Sequence, residues 1–291
     1  MNERKYYQYI LYAFGAILIW SSLAILGTTV VSVPSLLLVG VSLSVSGCLS
    51  IIKVREWKVP FKTIMIGVGG IFGYHYLIFT AYKYAPIIEV NILNYLWPLF
   101  IVFLSPFILP SFKLKKHHII GTVLGLTGAA LIITSGRLDF KSQYNLGYLM
   151  AAGAALVWAI YSLMLKRVVR FSTGAVGGFC FISGILSLVI YFAESSTNGF
   201  YFPTVSEWGS LILLGLGPMG SAFFLWDKAM KEGDPRIIGS ISYLTLLLAT
   251  LWLILFTGEK LTLISGFGMV LLLSGSVIGS LDVLRSTKVR V

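Results

Sequence analysis

Charge is what this sequence has least of. Asp, Glu, Lys and Arg together make up 11% of its 291 residues, less than half the share of about 25% usual in soluble domains. An ordinary water-facing surface cannot be covered with so few charges. Intrinsic disorder is excluded as well, because it needs low hydrophobicity and high net charge. Cysteine is scarce too. Cys48 and Cys180 both lie in apolar runs and give neither a disulfide framework nor a metal-ligand cluster. The P-loop spacing, H-E-x-x-H and G-x-S-x-G are all missing. Gly215 to Gly220 spells G-x-G-x-x-G. That dinucleotide fingerprint needs a preceding strand, and here it falls inside an apolar helix. No cofactor and no metal are therefore expected.

What the sequence has in abundance is apolar length. Hydrophobic residues reach 57% and the mean hydropathy is +0.89. A bilayer core about 30 Å thick needs roughly 20 apolar residues per helix. Ten such stretches can be read, at 8–28, 34–52, 63–83, 86–107, 118–136, 146–165, 172–193, 208–230, 236–256 and 262–282. The remainder is short loops, so the fold expected is an all-α integral membrane protein of ten transmembrane helices. The first span is too long for a cleavable signal peptide and lacks a small-x-small cleavage site.

The net charge of +11 suggests nucleic acid in a soluble chain. In a membrane chain it is read as orientation. Arg4, Lys5, Lys53, Arg55, Lys58, Lys62, Lys113, Lys115, Lys116, Lys166, Arg167, Arg170, Lys231, Arg236, Arg285, Lys288 and Arg290 fall on one side, 17 in all. Only Lys83, Arg137, Lys141 and Lys260 fall on the other, with Lys228 near the end of span 8. The positive-inside rule then puts both termini in the cytoplasm. The expected partners are the lipid bilayer and a small-molecule substrate, with no nucleic acid.

The two halves of the chain match. Gly15 and Trp20 return as Gly153 and Trp158, each 138 residues later. Ala81, Lys83, Tyr95 and Leu96 return as Ala229, Lys231, Tyr243 and Leu244, 148 later, and Gly121 and Gly128 as Gly268 and Gly275, 147 later. The repeats are placed at 1–136 and 137–291. Five spans per repeat is an odd number, so the second repeat is upside down relative to the first. That is an inverted-repeat secondary transporter, with its site near the midplane between interrupted helices. Span 3 carries Gly67, Gly69, Gly70 and Gly73, and span 8 carries Gly215, Gly217, Pro218 and Gly220. They are read either as hinges, with Gly73 and Gly220 as the pair, or as close helix packing.

Counting 1.5 Å per residue brings Trp20, Tyr74, His75, Asn94, Tyr95, Trp97, Trp158, Phe223 and Tyr243 to one depth. Trp and Tyr normally gather at membrane interfaces, so mid-span copies need polar partners that a cavity supplies. His75 is the one histidine inside a span, since His117 and His118 fall in a loop. It lies on a face with Ile71, Tyr74, Ile78, Phe79 and Tyr82. Either it lines a cavity, or it is an interhelical hydrogen bond. Asn91, Asn94, Tyr95 and Pro98 follow helical spacing on span 4. Asn can donate to a carboxylate and accept from an ammonium, while Pro98 frees a carbonyl one turn earlier. A zwitterion suits that face, and interhelical bonding with a proline kink remains the other reading. Asp227 and Lys228 can both snorkel to the interface, with Asp227 as a gate or proton site. No carboxylate is placed at mid-depth, which favours substrate-driven uniport.

Two five-span halves with a Trp followed by small residues in the first helix resemble the drug/metabolite transporter superfamily, in its ten-span EamA-type branch. Gly73-Tyr74-His75-Tyr76 and Asn91-Ile92-Leu93-Asn94-Tyr95-Leu96-Trp97-Pro98 resemble its aromatic amino acid exporter (YddG-like) subgroup. The resemblance implies export of aromatic and other hydrophobic amino acids from a bacterial inner membrane. The alternative is a broad-specificity metabolite or drug exporter. An intramembrane Ser–His hydrolase would have to use His75 with Ser21 or Ser22, neither marked as activated. A channel would present charge rings or carbonyl filters, and none is legible. Gly121-x-x-x-Gly125 and Gly275-x-x-x-Gly279 fit either a homodimer or packing of spans 5 and 10 within a monomer.

Overall fold

The computed structural model describes residues 3–168, 170–258 and 262–282. Within them every regular element is helical. The reason is the solvent. In hydrocarbon each backbone N–H and C=O must be satisfied internally, and a helix does so within one segment. The first half contains α1 (Glu3–Ser21), α2 (Leu23–Leu26), α3 (Ser35–Cys48), α4 (Phe61–Tyr84), α5 (Ile87–Asn94), α6 (Trp97–Ile108) and α7 (Lys116–Thr134). The second contains α8 (Asn145–Arg167), α9 (Ala175–Asn198), α10 (Val205–Leu216), α11 (Ala222–Glu232), α12 (Pro235–Ser242), α13 (Leu244–Thr257) and α14 (Leu263–Gly279). Lys260, Arg285, Lys288 and Arg290, counted in the charge bias, lie outside the described residues.

Among the described residues eight helical segments are long and apolar enough to cross a membrane. A ninth is α3 with the 3-10 segment Ile51–Trp57, bent by 91°. The stretch expected over 34–52 therefore stops at Cys48. Ser50 holds the corner, donating to Gly174 O at 2.9 Å while accepting from Trp57 Nε1 at 2.9 Å. Helix α14 spans 17 residues. Leu11, Phe107, Leu149, Val189, Leu255 and Val270 are exposed, as a lipid-facing surface requires.

Helix starts follow local chemistry. Thr204 and Glu207 form a capping box for α10. Asp234 accepts from Arg236 N at α12, and Thr262 accepts from Ser265 N at α14. Helix α7 stops where Ser135 turns left-handed at φ 50°.

The helices pair across the halves: α3 with α9, α7 with α14, α6 with α12, α4 with α8, and α1 with α11. The α7–α14 seam is made of glycine. A Cβ on Gly275 would lie 2.5 Å from Gly121 O, and one on Gly128 would lie 2.5 Å from Gly268 O. The two small-residue motifs of spans 5 and 10 thus meet one another within the chain.

Helix α4 corrects one expectation. It runs unbroken from Phe61 to Tyr84, so its glycines do not interrupt it. Gly67 instead admits the Phe179 ring and Gly70 the Tyr161 ring. The corresponding glycines of the second half do mark a break. There a π-turn over Gly217–Ser221, with Pro218 near its start, separates α10 from α11. Proline cannot donate a backbone hydrogen bond, so the break forms where Pro218 stands, and α4 has no proline at the matching place.

Candidate functional site

Four indoles meet where α1, α6, α8 and α11 converge. Trp20 lies 5.8 Å from Trp158, 6.3 Å from Trp97 and 5.1 Å from Trp226, centroid to centroid. Trp97 and Trp226 are 5.6 Å apart. Phe223 joins at 5.5 Å from Trp158 and 6.2 Å from Trp20. Most of these pairs are tilted or edge-to-face, the arrangements favoured by ring quadrupoles. All five rings are buried.

Each buried indole N–H needs an acceptor. Trp20 Nε1 donates to Pro218 O at 2.9 Å. The first half therefore satisfies a carbonyl in the π-turn of the second. Trp226 Nε1 donates to Ser162 Oγ at 3.0 Å.

Helix α4 lays a polar edge along this cluster. Tyr74 lies 5.2 Å from Trp158 and 5.0 Å from His75. His75 lies 6.1 Å from Phe223 and 6.4 Å from Phe79. His75 Nδ1 is 2.7 Å from Ile71 O. A carbonyl only accepts, so Nδ1 donates, and in the neutral ring the Nε2 lone pair is left for another donor. Asn94 Nδ2 donates to Tyr74 Oη at 3.2 Å. Asn94 Oδ1 is buried with no hydrogen-bond partner among the described residues. An orphaned buried acceptor is costly and calls for an explanation.

Other expected site residues lie elsewhere. Asn91 Oδ1 accepts from Tyr82 Oη at 2.7 Å, so it is already engaged. The run meant to carry Asn91, Asn94, Tyr95 and Pro98 on one face is interrupted at Tyr95–Leu96. Pro98 sits in the first turn of α6, and its carbonyl would be 3.0 Å from a Cβ on Gly239. Tyr243 occupies the equivalent interruption between α12 and α13. It is fully buried against Gly125, in a second cluster with Ala129, Leu247 and Leu272 to which Tyr95 also packs. Gly220 lies in the π-turn. Gly73, with its nearest neighbour Val157 at 3.6 Å from a Cβ, is inside unbroken α4.

Asp227 corrects a second expectation. It does not snorkel: its side chain is 0% exposed. Its Oδ2 accepts from Thr173 Oγ1 at 2.6 Å and from Lys231 Nζ at 2.8 Å. Lys231 sits 3.4 Å over the Phe171 ring and also donates to Phe171 O. A buried carboxylate needs such a partner, and the i,i+4 lysine supplies it. Lys166 Nζ adds bonds to Lys231 O and Gly233 O. Glu89, in the first turn of α5, is likewise buried.

His117 and His118 each approach Asp282 at 3.3 Å, and Lys115 Nζ lies 2.9 Å from the same carboxylate. The three ligand atoms fall within 4.8 Å of one another. However, His118 Nδ1 accepts from Lys115 N at 3.1 Å. The neutral ring then carries its proton on Nε2, facing Asp282, and the ammonium repels a second cation there.

At the opposite end of α4 a cavity of about 700 Å³ opens between α4 and α9. Tyr76, Phe79, Lys83, Tyr191, Glu194 and Tyr201 are among its walls. Lys83 Nζ and Glu194 Oε2 face each other there at 3.8 Å. The Tyr201 phenol donates to Glu207 Oε1 at 2.6 Å, and that bond raises its pKa, so the ring stands neutral in the wall.

Sequence reading missed three contributors. Trp226 was one, although it follows Phe223 at i+3 on one face. The Pro218 carbonyl was another, and Lys231 as the partner of Asp227 was the third.

Comparisons with known proteins agree with this architecture. The aromatic amino acid exporter YddG of Ancylobacter novellus is 36% identical over 253 residues, covering 84% of this chain and 87% of that protein. The uncharacterized transporters YyaM and YetK of Bacillus subtilis are 24% and 25% identical over 58% and 62% of this chain, and 56% of each relative. A solved crystal structure superposes with a TM-score of 0.90 at 34% identity, covering 96% of this chain and 99% of its own. A sequence model of the EamA-like transporter family matches residues 8–134 and again 145–281. With two such matches spanning most of its length, this membrane chain belongs to the EamA-like transporter family.

Proposed function

We propose that the chain is a secondary transporter that exports aromatic and other hydrophobic amino acids from a bacterial cell. Ten spans form two inverted five-helix repeats, 1–136 and 137–291, which rock around the aromatic cluster in alternating access. The cytoplasmic side is the one bearing the Asp227–Lys231 pair and both termini. The vestibule beside Lys83 faces outward.

The observation that carries this reading is a polar edge set against buried rings. His75 Nε2 and the unpartnered Asn94 Oδ1 lie beside Tyr74, which is 5.2 Å from Trp158. A zwitterion offers an ammonium to that acceptor, and a planar side chain offers a face to the indoles. The 36% identical relative, an aromatic amino acid exporter, supports the same substrate class.

Support for the inverted repeat comes from the helix pairs. Exchanging the halves turns α4–α8 into α11–α1, α6–α8 into α13–α1, and α3–α10 into α9–α4, and all of these pairs occur. The pairs α3–α9 and α7–α14 map onto themselves.

The test is flux of labelled tryptophan into proteoliposomes, with and without a pH gradient and with unlabelled competitors. Saturable flux that phenylalanine competes away, insensitive to the gradient, is expected of a uniporter. A gradient-driven rise would replace uniport by proton coupling. Absence of flux from correctly inserted protein would overturn the amino acid reading in favour of a broader metabolite or drug exporter.

A further inference from the structure

Taking the chain as an amino acid exporter, as proposed above, we infer that the outer vestibule is a second amino acid site. In it the ligand's carboxylate engages Lys83, its ammonium engages Glu194, and its side chain lies among Tyr76, Phe79, Tyr191 and Tyr201.

The volume fits. At about 700 Å³ the cavity is in the range of about 300–1,000 Å³ typical of small-molecule sites, which are aromatic-walled with a few placed polar groups. The charges fit as well. Lys83 and Glu194 are of opposite sign on facing helices, 3.8 Å apart, and both side chains are about half exposed, at 59% and 51%. An exposed pair at that separation contributes little to the fold, so a ligand displaces it cheaply. An amino acid carries the same two charges on adjacent atoms. It can replace the loose direct pair with two charge-assisted hydrogen bonds, which are shorter and stronger. A cation or an anion alone would satisfy only one wall.

Phe79 is common to the vestibule and the central site: it lines the cavity and lies 6.4 Å from His75. Lys83 stands one turn beyond Phe79 on the same helix face. A ligand leaving the indole cluster past Phe79 meets the charge pair next, so the vestibule is a release station on the export path.

The test is equilibrium binding of three ligands to detergent-purified protein, alongside tryptophan flux. Tryptophan carries both charges, tryptamine lacks the carboxylate, and indole-3-propionate lacks the ammonium. The variants are Lys83→Met and Glu194→Gln, with Thr80→Trp as an independent filling of the same cavity. Wild-type protein should show two tryptophan sites. Either charge variant should weaken one of them roughly tenfold, with melting temperature unchanged. Tryptamine should respond to Glu194→Gln alone and indole-3-propionate to Lys83→Met alone. Thr80→Trp should remove the same site. One site in the wild type, or affinities within twofold in all three variants, would overturn the vestibule while leaving flux and the export reading intact. Selective loss of binding in a protein without tryptophan flux would keep the vestibule as a binding site and sink the export reading.

Discussion

The indole N–H of Trp20 donates a 2.9 Å hydrogen bond to the carbonyl of Pro218, 198 residues away in sequence. It spans from the first helix of one half to the π-turn of the other. Removing the donor while keeping the ring isolates this bond. Trp20→Phe should leave a buried carbonyl unsatisfied and cost about 1–3 kcal/mol. The melting temperature in detergent should fall accordingly. Tryptophan flux should fall more steeply than protein yield if, as proposed, the halves this bond ties rock against each other. An unchanged melt and flux would show that the turn holds itself.

His75 and Trp97 touch different members of the aromatic group. His75→Ala removes a ring beside Tyr74 and Phe223, and Trp97→Ala removes one beside Trp20 and Trp226. Each should reduce tryptophan flux at least tenfold, about 1.4 kcal/mol of lost stabilisation. Membrane insertion should persist in both. Wild-type flux in both variants would remove the central cluster from the transport path.

The buried Asp227–Lys231 pair offers a cycle of variants. Asp227→Asn leaves Lys231 without its counter-charge and should destabilise by about 3–5 kcal/mol. Asp227→Asn combined with Lys231→Met removes both charges and should recover much of that loss. Thermal melting of the three variants reads the result. Additive losses in the double variant would mean that the two groups act independently.

Side assignment can be tested with single cysteines. After Cys48 and Cys180 are replaced by Ser, Thr80→Cys should react with an impermeant maleimide added outside intact cells. Arg170→Cys should react only after the membrane is opened. The reverse pattern would invert the orientation.

Much of this site was legible because depth in a membrane helix is a matter of counting. Trp20, Trp97, Trp158, Tyr74 and His75 were placed at one level by residue number, and ring distances of 5.0–6.3 Å now link them in one connected group. Counting gives height but not azimuth. Tyr243 has the right height, yet it turns toward Gly125, and Trp226 lay outside the depth window although it faces inward. Glycine clusters were equally ambiguous. Gly67 and Gly70 make room for Phe179 and Tyr161, while Gly217 and Gly220 lie within a true break. The difference is one proline, Pro218. The burial of Asp227 depends on Thr173 and Phe171 from another part of the chain, which no local pattern reveals.

The glycine seam between α7 and α14 has a mechanical consequence. Where Gly121 meets Gly275 and Gly128 meets Gly268, backbone lies directly on backbone. Such a joint has no rotamers to exchange and nothing soft to compress. It can only hold or slip as a unit, and a side chain put into it, as in Gly121→Leu, should cost about 1–3 kcal/mol or more on melting in detergent. The indole cluster is the opposite kind of contact, with many rings that can each settle differently. The alternating access proposed for this chain needs one stiff bearing and one compliant face, and the glycine seam offers the bearing from residues that have no side chain at all.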